Sequence, residues 1–131
     1  MNILIDTNIL LYILFESHKL SNKDKYYIFD PNNLIFVSAI SLFEISLKYA
    51  IGKLTLNKTK PDEIAAILLE NNYIIQDIHY KSFANFYKLP LKQHKDPFDR
   101  ILIWEAIHKG QALLSRDSEF KEYIEDGLTL L

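Results

Sequence analysis

The sequence predicts an α/β fold: a central parallel sheet of four or five short strands with helices on both faces. Three observations predict it. Short apolar runs alternate with stretches of helical pattern along the chain. The first of these runs ends abruptly at an acid, as a strand buried in a parallel sheet does. Only 3 glycines and 4 prolines punctuate 131 residues, which leaves little room for linkers. At roughly 150 residues per domain, residues 1–131 read as a single domain.

Asn2–Ile5 is an apolar run stopped by Asp6 and reads as the first strand. Residues 8–15 are apolar almost all round, and Asn8 is read as the cap of a buried helix. Residues 21–29 follow as a short helix, and Asp30-Pro31-Asn32-Asn33 as a turn. Leu34 to Val37 is the second strand. Ser38 or Ser41 caps a helix to about Ile51, closed by Gly52. Pro61-Asp62-Glu63 opens a helix reaching Asn71-Asn72. Tyr73 to Gln76 is the third strand and residues 79–88 are helical. Asp96-Pro97 opens a helix to Lys109, ended by Gly110. Ala112 to Leu114 is the fourth strand, residues 120–124 a short helix, and residues 128–131 an edge strand.

Composition excludes several classes. Ile and Leu supply 38 residues, too many for a disordered chain. There is no cysteine, hence no disulfide scaffold, thiolate zinc site or thiol nucleophile. The early apolar run, residues 9–15, is too short for a membrane span, and the first cation is Lys19, so no basic signal-peptide region precedes it. A cytoplasmic location is expected. Fifteen Lys and Arg against 17 Asp and Glu give a net charge of −2, which by itself argues against a polybasic nucleic-acid coat protein.

In open α/β sheets, ligands bind at the carboxyl ends of the strands. Asp6 directly follows the first strand, Glu44 lies early in the helix after the second, Asp96 and Asp99 open the helix from Pro97, and Asp117 lies past the fourth strand. Three or four carboxylates converging at one end cannot all stay ionised without a cation. Hard oxygen ligands without cysteine point to Mg²⁺ or Mn²⁺, one or two ions per site. The four histidines, His18, His79, His94 and His108, show no ligand spacing. Taken singly, each acid has a structural reading. Asp6, Asp96 and Asp117 suit helix caps, and Glu44 has capping-box spacing to Ser41 and ion-pair spacing to Lys48. Caps do not require all of these acids at the same end of a sheet.

The motifs resemble a family. Ile5-Asp6-Thr7-Asn8, then Ser38 to Ile45 with Lys48 and Gly52-Lys53-Leu54, then His94-Lys95-Asp96-Pro97-Phe98-Asp99-Arg100, then Leu114-Ser115-Arg116-Asp117 with Phe120 fall in one order along nearly the whole chain. Together they resemble a PIN-domain ribonuclease, of the type found as VapC toxins in toxin–antitoxin pairs. The resemblance implies a PIN-like fold and a carboxylate metal site in which Asp6, Glu44, Asp99 and Asp117 are the catalytic and metal-binding acids. Asp96 is a further acid of the motif. Asp99, at the third helical position, is favoured as the closer ligand. Ser115 stands where the family often has threonine and keeps the hydroxyl. The resemblance also implies homodimerisation and a cognate antitoxin partner.

The expected activity is metal-dependent hydrolysis of RNA phosphodiester bonds. A divalent ion lowers the pKa of its water, so no histidine base is needed. Asn8 is expected either to bind a metal water or to cap its helix. Arg100 and Arg116, the only arginines, each adjoin a site acid. They are expected either to pair with a neighbouring carboxylate or to fork a phosphate. Trp104 reads as a core or dimer-contact residue. A haloacid-dehalogenase-like phosphatase needs a second acid at position 8, where Asn8 stands, and a receiver-like phosphoacceptor lacks its acid pair. A PIN fold that retains only RNA or partner binding is the remaining alternative, and the presence of all four acids argues against it.

The charge distribution qualifies the net value. Residues 45–61 hold Lys48, Lys53, Lys58 and Lys60, residues 78–95 hold Lys81, Lys88, Lys92 and Lys95, and neither stretch has an acid. Each flanks a site motif. Lys48, Lys53, Lys92 and Lys95 are therefore the expected contacts to an RNA backbone.

Overall fold

The computed structural model describes Met1–Leu131. Five strands, β1 (Asn2–Ile5), β2 (Leu34–Ser38), β3 (Ile74–Gln76), β4 (Ala112–Leu114) and β5 (Thr129–Leu130), form one sheet in the order β3-β2-β1-β4-β5. Every pairing is parallel. The α-helices are α1 (Thr7–Phe15), α2 (Asn22–Ile28), α3 (Ala39–Ala50), α4 (Pro61–Glu70), α5 (Tyr80–Ala84) and α6 (Pro97–Lys109), and single 3-10 segments span Ser17–Lys19, Phe86–Lys88 and Ser118–Asp126. No helix is long and apolar enough to cross a membrane.

β1 explains why the apolar runs do not alternate with polar residues. Ile3, Leu4 and Ile5 are all fully buried, because helices cover both faces of the sheet. Ile3 and Ile5 point into a core built with Ile9, Leu10, Ile45, Ile64 and Leu68. Leu4 points the other way, into a core of Leu102, Ile103, Ala106, Phe120 and Tyr123. The period-two alternation of a strand thus splits three consecutive apolar residues between two cores.

The chain moves outward from β1 through β2 to β3, then crosses back to lay β4 on the free side of β1. The strand order reverses there, and a reversal opens a crevice at the carboxyl ends of the two strands concerned. Asp6 and Ser115 are the first residues beyond them, and the Asp6 N–H still donates to the Leu114 carbonyl at 3.2 Å.

Some boundaries differ from the sequence expectation. Asp6 caps α1, since its carboxylate accepts from the Ile9 N–H at 2.8 Å, and Asn8 lies exposed inside the first turn. Ser38 caps α3 through the Ile40 N–H at 3.1 Å while its hydroxyl donates to the buried Glu105 at 3.2 Å. Ser41 is therefore inside the helix, Glu44 falls in the second turn, and no capping box joins the two. The helix expected over residues 79–88 breaks at Asn85. The Trp104 indole N–H donates to the Asn85 side chain at 3.0 Å and to the Ser82 carbonyl at 3.1 Å, which fixes the break against α6. Trp104 is a core residue on that face. The short helix expected over residues 120–124 is a longer 3-10 segment capped by Asp117.

Leu4 sits between β2 and β4 with no exposed surface. Leu4→Ala is expected to lower unfolding stability by about 2–5 kcal/mol. Phe43→Ala, at a side chain 56% exposed, should change it by far less. Urea denaturation of the two variants checks the contrast.

Candidate active site

The crevice beyond β1 and β4 gathers the acids. Asp6 is 4% exposed. Burial pushes its carboxyl up to about 6, the Ser115 hydroxyl and the Ile9 N–H pull it down, and the charges of Glu44 and Asp117 push it up again. Ser115 joins two of the acids, because its Oγ also accepts from the Asp117 N–H at 3.1 Å. Asp117 is half-buried and caps the following 3-10 segment by accepting from the Glu119 N–H at 2.9 Å.

Glu44 enters from α3 and is also 4% exposed. The Thr7 hydroxyl donates to its Oε1 at 2.6 Å, and Ser41 Oγ lies 3.0 Å from the same hydroxyl. Lys48, one turn on, donates to Oε2 at 2.5 Å. The pair has the expected i,i+4 spacing, but its acid is buried. Burial alone would lower the Lys48 ammonium. The hydrogen bond to Glu44 and the charges of Glu44, Asp96 and Asp99 hold it above its ordinary value.

The motif from His94 to Asp99 supplies the opposite wall. Asp96 is exposed and accepts from the Phe98 N–H at 2.9 Å as the cap of α6. Asp99, in the first turn, is half-buried. Burial pushes its carboxyl up to about 6, aided by the Asp96 and Glu44 charges and opposed by His94. Asp96 thus caps its helix, whereas Asp99 bonds His94 at 2.9 Å and senses the charges of Asp96 and Glu44.

His94, which shows no ligand spacing in the sequence, has a definite place in the structure. His94 is 8% exposed, with Nε2 2.9 Å from Asp99 and Nδ1 2.5 Å from Glu119. The Tyr123 hydroxyl donates to its carbonyl at 3.2 Å. Burial alone would lower its pKa, but the hydrogen bonds to Glu119 and Asp99 and the charges of Asp99 and Asp117 raise it. His94, Asp117 and Glu119 also present three ligand atoms within 4.8 Å of one another. In the sequence, His94 stands five residues before Asp99, and Glu119 two after Asp117.

The supporting residues divide. Arg100 is buried and pairs with no carboxylate. It donates to the Tyr123 hydroxyl at 3.2 Å and to the Leu89 and Pro90 carbonyls at 3.0 and 3.2 Å, and lies over the Phe86 ring. These bonds tie the segment leading to His94 onto α6, so a phosphate fork is not its geometry. Arg116 pairs with Asp24, at 2.8 Å through Nε, and with the Lys19 carbonyl, so its carboxylate partner is outside the site. Lys92 is held by Glu125 and Asp126. Lys53 and Lys95 are exposed.

The oxygen-rich donor set of Asp6, Glu44, Asp99 and Asp117 fits a hard divalent cation.

The chain matches the model of the PIN domain family over residues 3–125. No curated protein matches it. Among solved structures it is similar to VapBC2 from Rickettsia felis bound to a DNA fragment from their promoter, at 24% identity and a TM-score of 0.74, over 100% of this chain and 98% of that one. It is also similar to VapBC-1 from nontypeable Haemophilus influenzae, at 18% and 0.65 over 100% and 97%. The sarcin–ricin loop cleaving toxin VapC20 from Mycobacterium tuberculosis aligns at 14% and 0.63 over 92% and 93%. At these identities the likeness concerns the fold.

Two predictions concern the metal-free protein. Asp6 and Asp99 bind protons more tightly folded than unfolded, so stability is expected to fall as pH rises from about 4 through about 6, and the raised pKa of His94 extends the fall above that. Asp6→Asn keeps a capping oxygen and removes one of these charges, so it should melt higher than wild type at pH 7–8 and flatten the slope. Chelator-treated thermal melts across pH read both effects.

Proposed function

The chain belongs to the PIN-domain family, and we propose that it is a Mg²⁺- or Mn²⁺-dependent endoribonuclease, the VapC-type toxin of a toxin–antitoxin pair. The observation that carries this reading is the joint placement of Asp6, Glu44, Asp99 and Asp117 around one crevice. There Asp6 senses Glu44 and Asp117, and Asp99 senses Glu44. The similar fold of VapC20, described as a sarcin–ricin loop cleaving toxin, supports the same reading.

In this reading Asp6, Glu44, Asp99 and Asp117 hold the cation, with Asp96 at the rim. A divalent ion held there would supply Lewis-acid polarisation of a phosphodiester oxygen and a water acidic enough that hydrolysis would need no side-chain base. The residues of the chain provide positioning. Thr7 and Ser41 fix Glu44, Ser115 links Asp6 to Asp117, and His94 fixes Asp99. Each ligand carboxylate is then preorganised by a donor of its own. The exposed Lys53 and Lys95 supply backbone phosphate contacts, Lys48 joins them when freed from Glu44, and Lys92 contributes only if it leaves Glu125 and Asp126.

The partners of this reading are an antitoxin and a second copy of the chain. Support for the antitoxin comes from the similar structures, one of which is described as a toxin–antitoxin complex from Klebsiella pneumoniae.

Asp6→Asn and Asp99→Asn are each expected to cut RNA cleavage in Mg²⁺ or Mn²⁺ by more than roughly a hundredfold, beyond what loss of an outer partner costs. EDTA should abolish cleavage by wild type. Gel assays on structured RNA decide it, and full activity in both variants or in EDTA would reject a metal-dependent nuclease.

A further inference from the structure

Arg100 and Arg116 both have partners outside the acid crevice, which leaves one lysine as the cation bonded directly to a buried site acid. Lys48 Nζ lies 2.5 Å from Glu44 Oε2, and it also senses the charges of Asp96 and Asp99 on the facing helix. Its side chain is 42% exposed while the Glu44 side chain is 5% exposed. The ammonium thus reaches in from solvent on a flexible stem and sits where the acids of α3 and α6 face each other.

We infer that Lys48 is a resident counter-ion of the carboxylate crevice, one that competes with the divalent cation for Glu44 and is released toward the RNA backbone when that cation binds. The inference rests on the metal-nuclease reading above and adds a coupling to it.

The physical case has three parts. A buried carboxylate needs compensation when no metal is present, and Lys48 supplies it for Glu44. A lysine suits an exchangeable role, because its ammonium is a point charge on four rotatable carbons, whereas a guanidinium fork would lock onto the carboxylate. Glu44 Oε1 is already held by Thr7, so Oε2, the oxygen that Lys48 occupies, is the one left to face a cation. Cation binding at Oε2 therefore breaks the ion pair. The freed ammonium, one helical turn from the acid, then stands at the mouth of the crevice beside any bound phosphodiester. Metal loading and RNA binding become positively coupled through a single side chain.

The test is Mn²⁺ binding by titration calorimetry, without RNA, for wild type, Lys48→Met and the exposed control Lys60→Met. Lys48→Met keeps the length and apolar stem of the side chain, and circular dichroism confirms its fold. The inference expects Lys48→Met to bind Mn²⁺ on the order of tenfold more tightly than wild type, the size of one partly screened unit charge. Lys60→Met should match wild type. Equal or weaker Mn²⁺ binding by Lys48→Met overturns the resident counter-ion while leaving the metal site in place. Equal tightening by Lys60→Met overturns it too, since the effect would then be a general surface field. Absence of Mn²⁺ binding by all three proteins overturns both this inference and the metal-nuclease reading.

Discussion

The burial of several carboxyls at the carboxyl ends of β1 and β4 is the constraint around which the rest of this molecule is arranged. The topology brings Asp6, Glu44, Asp99 and Asp117 to one crevice, where burial makes their charges expensive. The surroundings of the crevice answer that cost one acid at a time. The first turn of α1 and Ser115 serve Asp6, Thr7 and Lys48 serve Glu44, and His94 serves Asp99. Compensation remains incomplete, since both Asp6 and Asp99 still hold their protons up to about pH 6. An incompletely neutralised pocket of hard oxygens is stable enough to fold and has an electrostatic demand for a cation.

The same bonds join elements that are distant in sequence. Thr7 opens α1 and Glu44 belongs to α3, so their hydrogen bond stitches the first crossover to the second. His94 spans the start of α6 and the 3-10 segment after β4. Arg100 and Tyr123 then fasten the loop that delivers His94. The site is therefore assembled by the fold's own clamps, and the hydrophobic cores on the two faces of the sheet supply the rigidity behind them. Arg100 carries much of this by pinning two carbonyls in an irregular stretch, a use that its planar fork of donors suits.

Most of the architecture was legible in the sequence because strands and helices leave periodic signatures. β4 and α6 begin and end where the pattern of Ala112 to Leu114 and of Pro97 to Lys109 places them. The errors cluster where a local signal had two readings. Asn8 and Asp6 are both good caps, and Asp6 won because its backbone leaves β1 in an extended conformation that aims its carboxylate at the Ile9 N–H. Ser38 and Ser41 compete similarly, and the outcome turns on Glu105, 67 residues away, which gives the Ser38 hydroxyl an acceptor. His94 carries no local signal of its role, because its acid partners lie 5 and 25 residues further on and only the packing of α6 against the 3-10 segment after β4 brings them to it.

By itself, the sequence determined which elements form, that they alternate into a parallel sheet, and which acids end up at one end of it. These follow from side-chain periodicity and from the position of each acid just past a strand, and both are local properties. Only the tertiary structure decided how the charges are compensated. That Arg100 braces a loop, Arg116 serves Asp24, Lys48 serves Glu44 and His94 serves Asp99 depends on which surfaces pack together. A long cationic side chain reaches several acids with equal ease in sequence terms. Burial and the crossing of helices choose among them, because only a desolvated acid at hydrogen-bond distance gains enough from a partner to hold it.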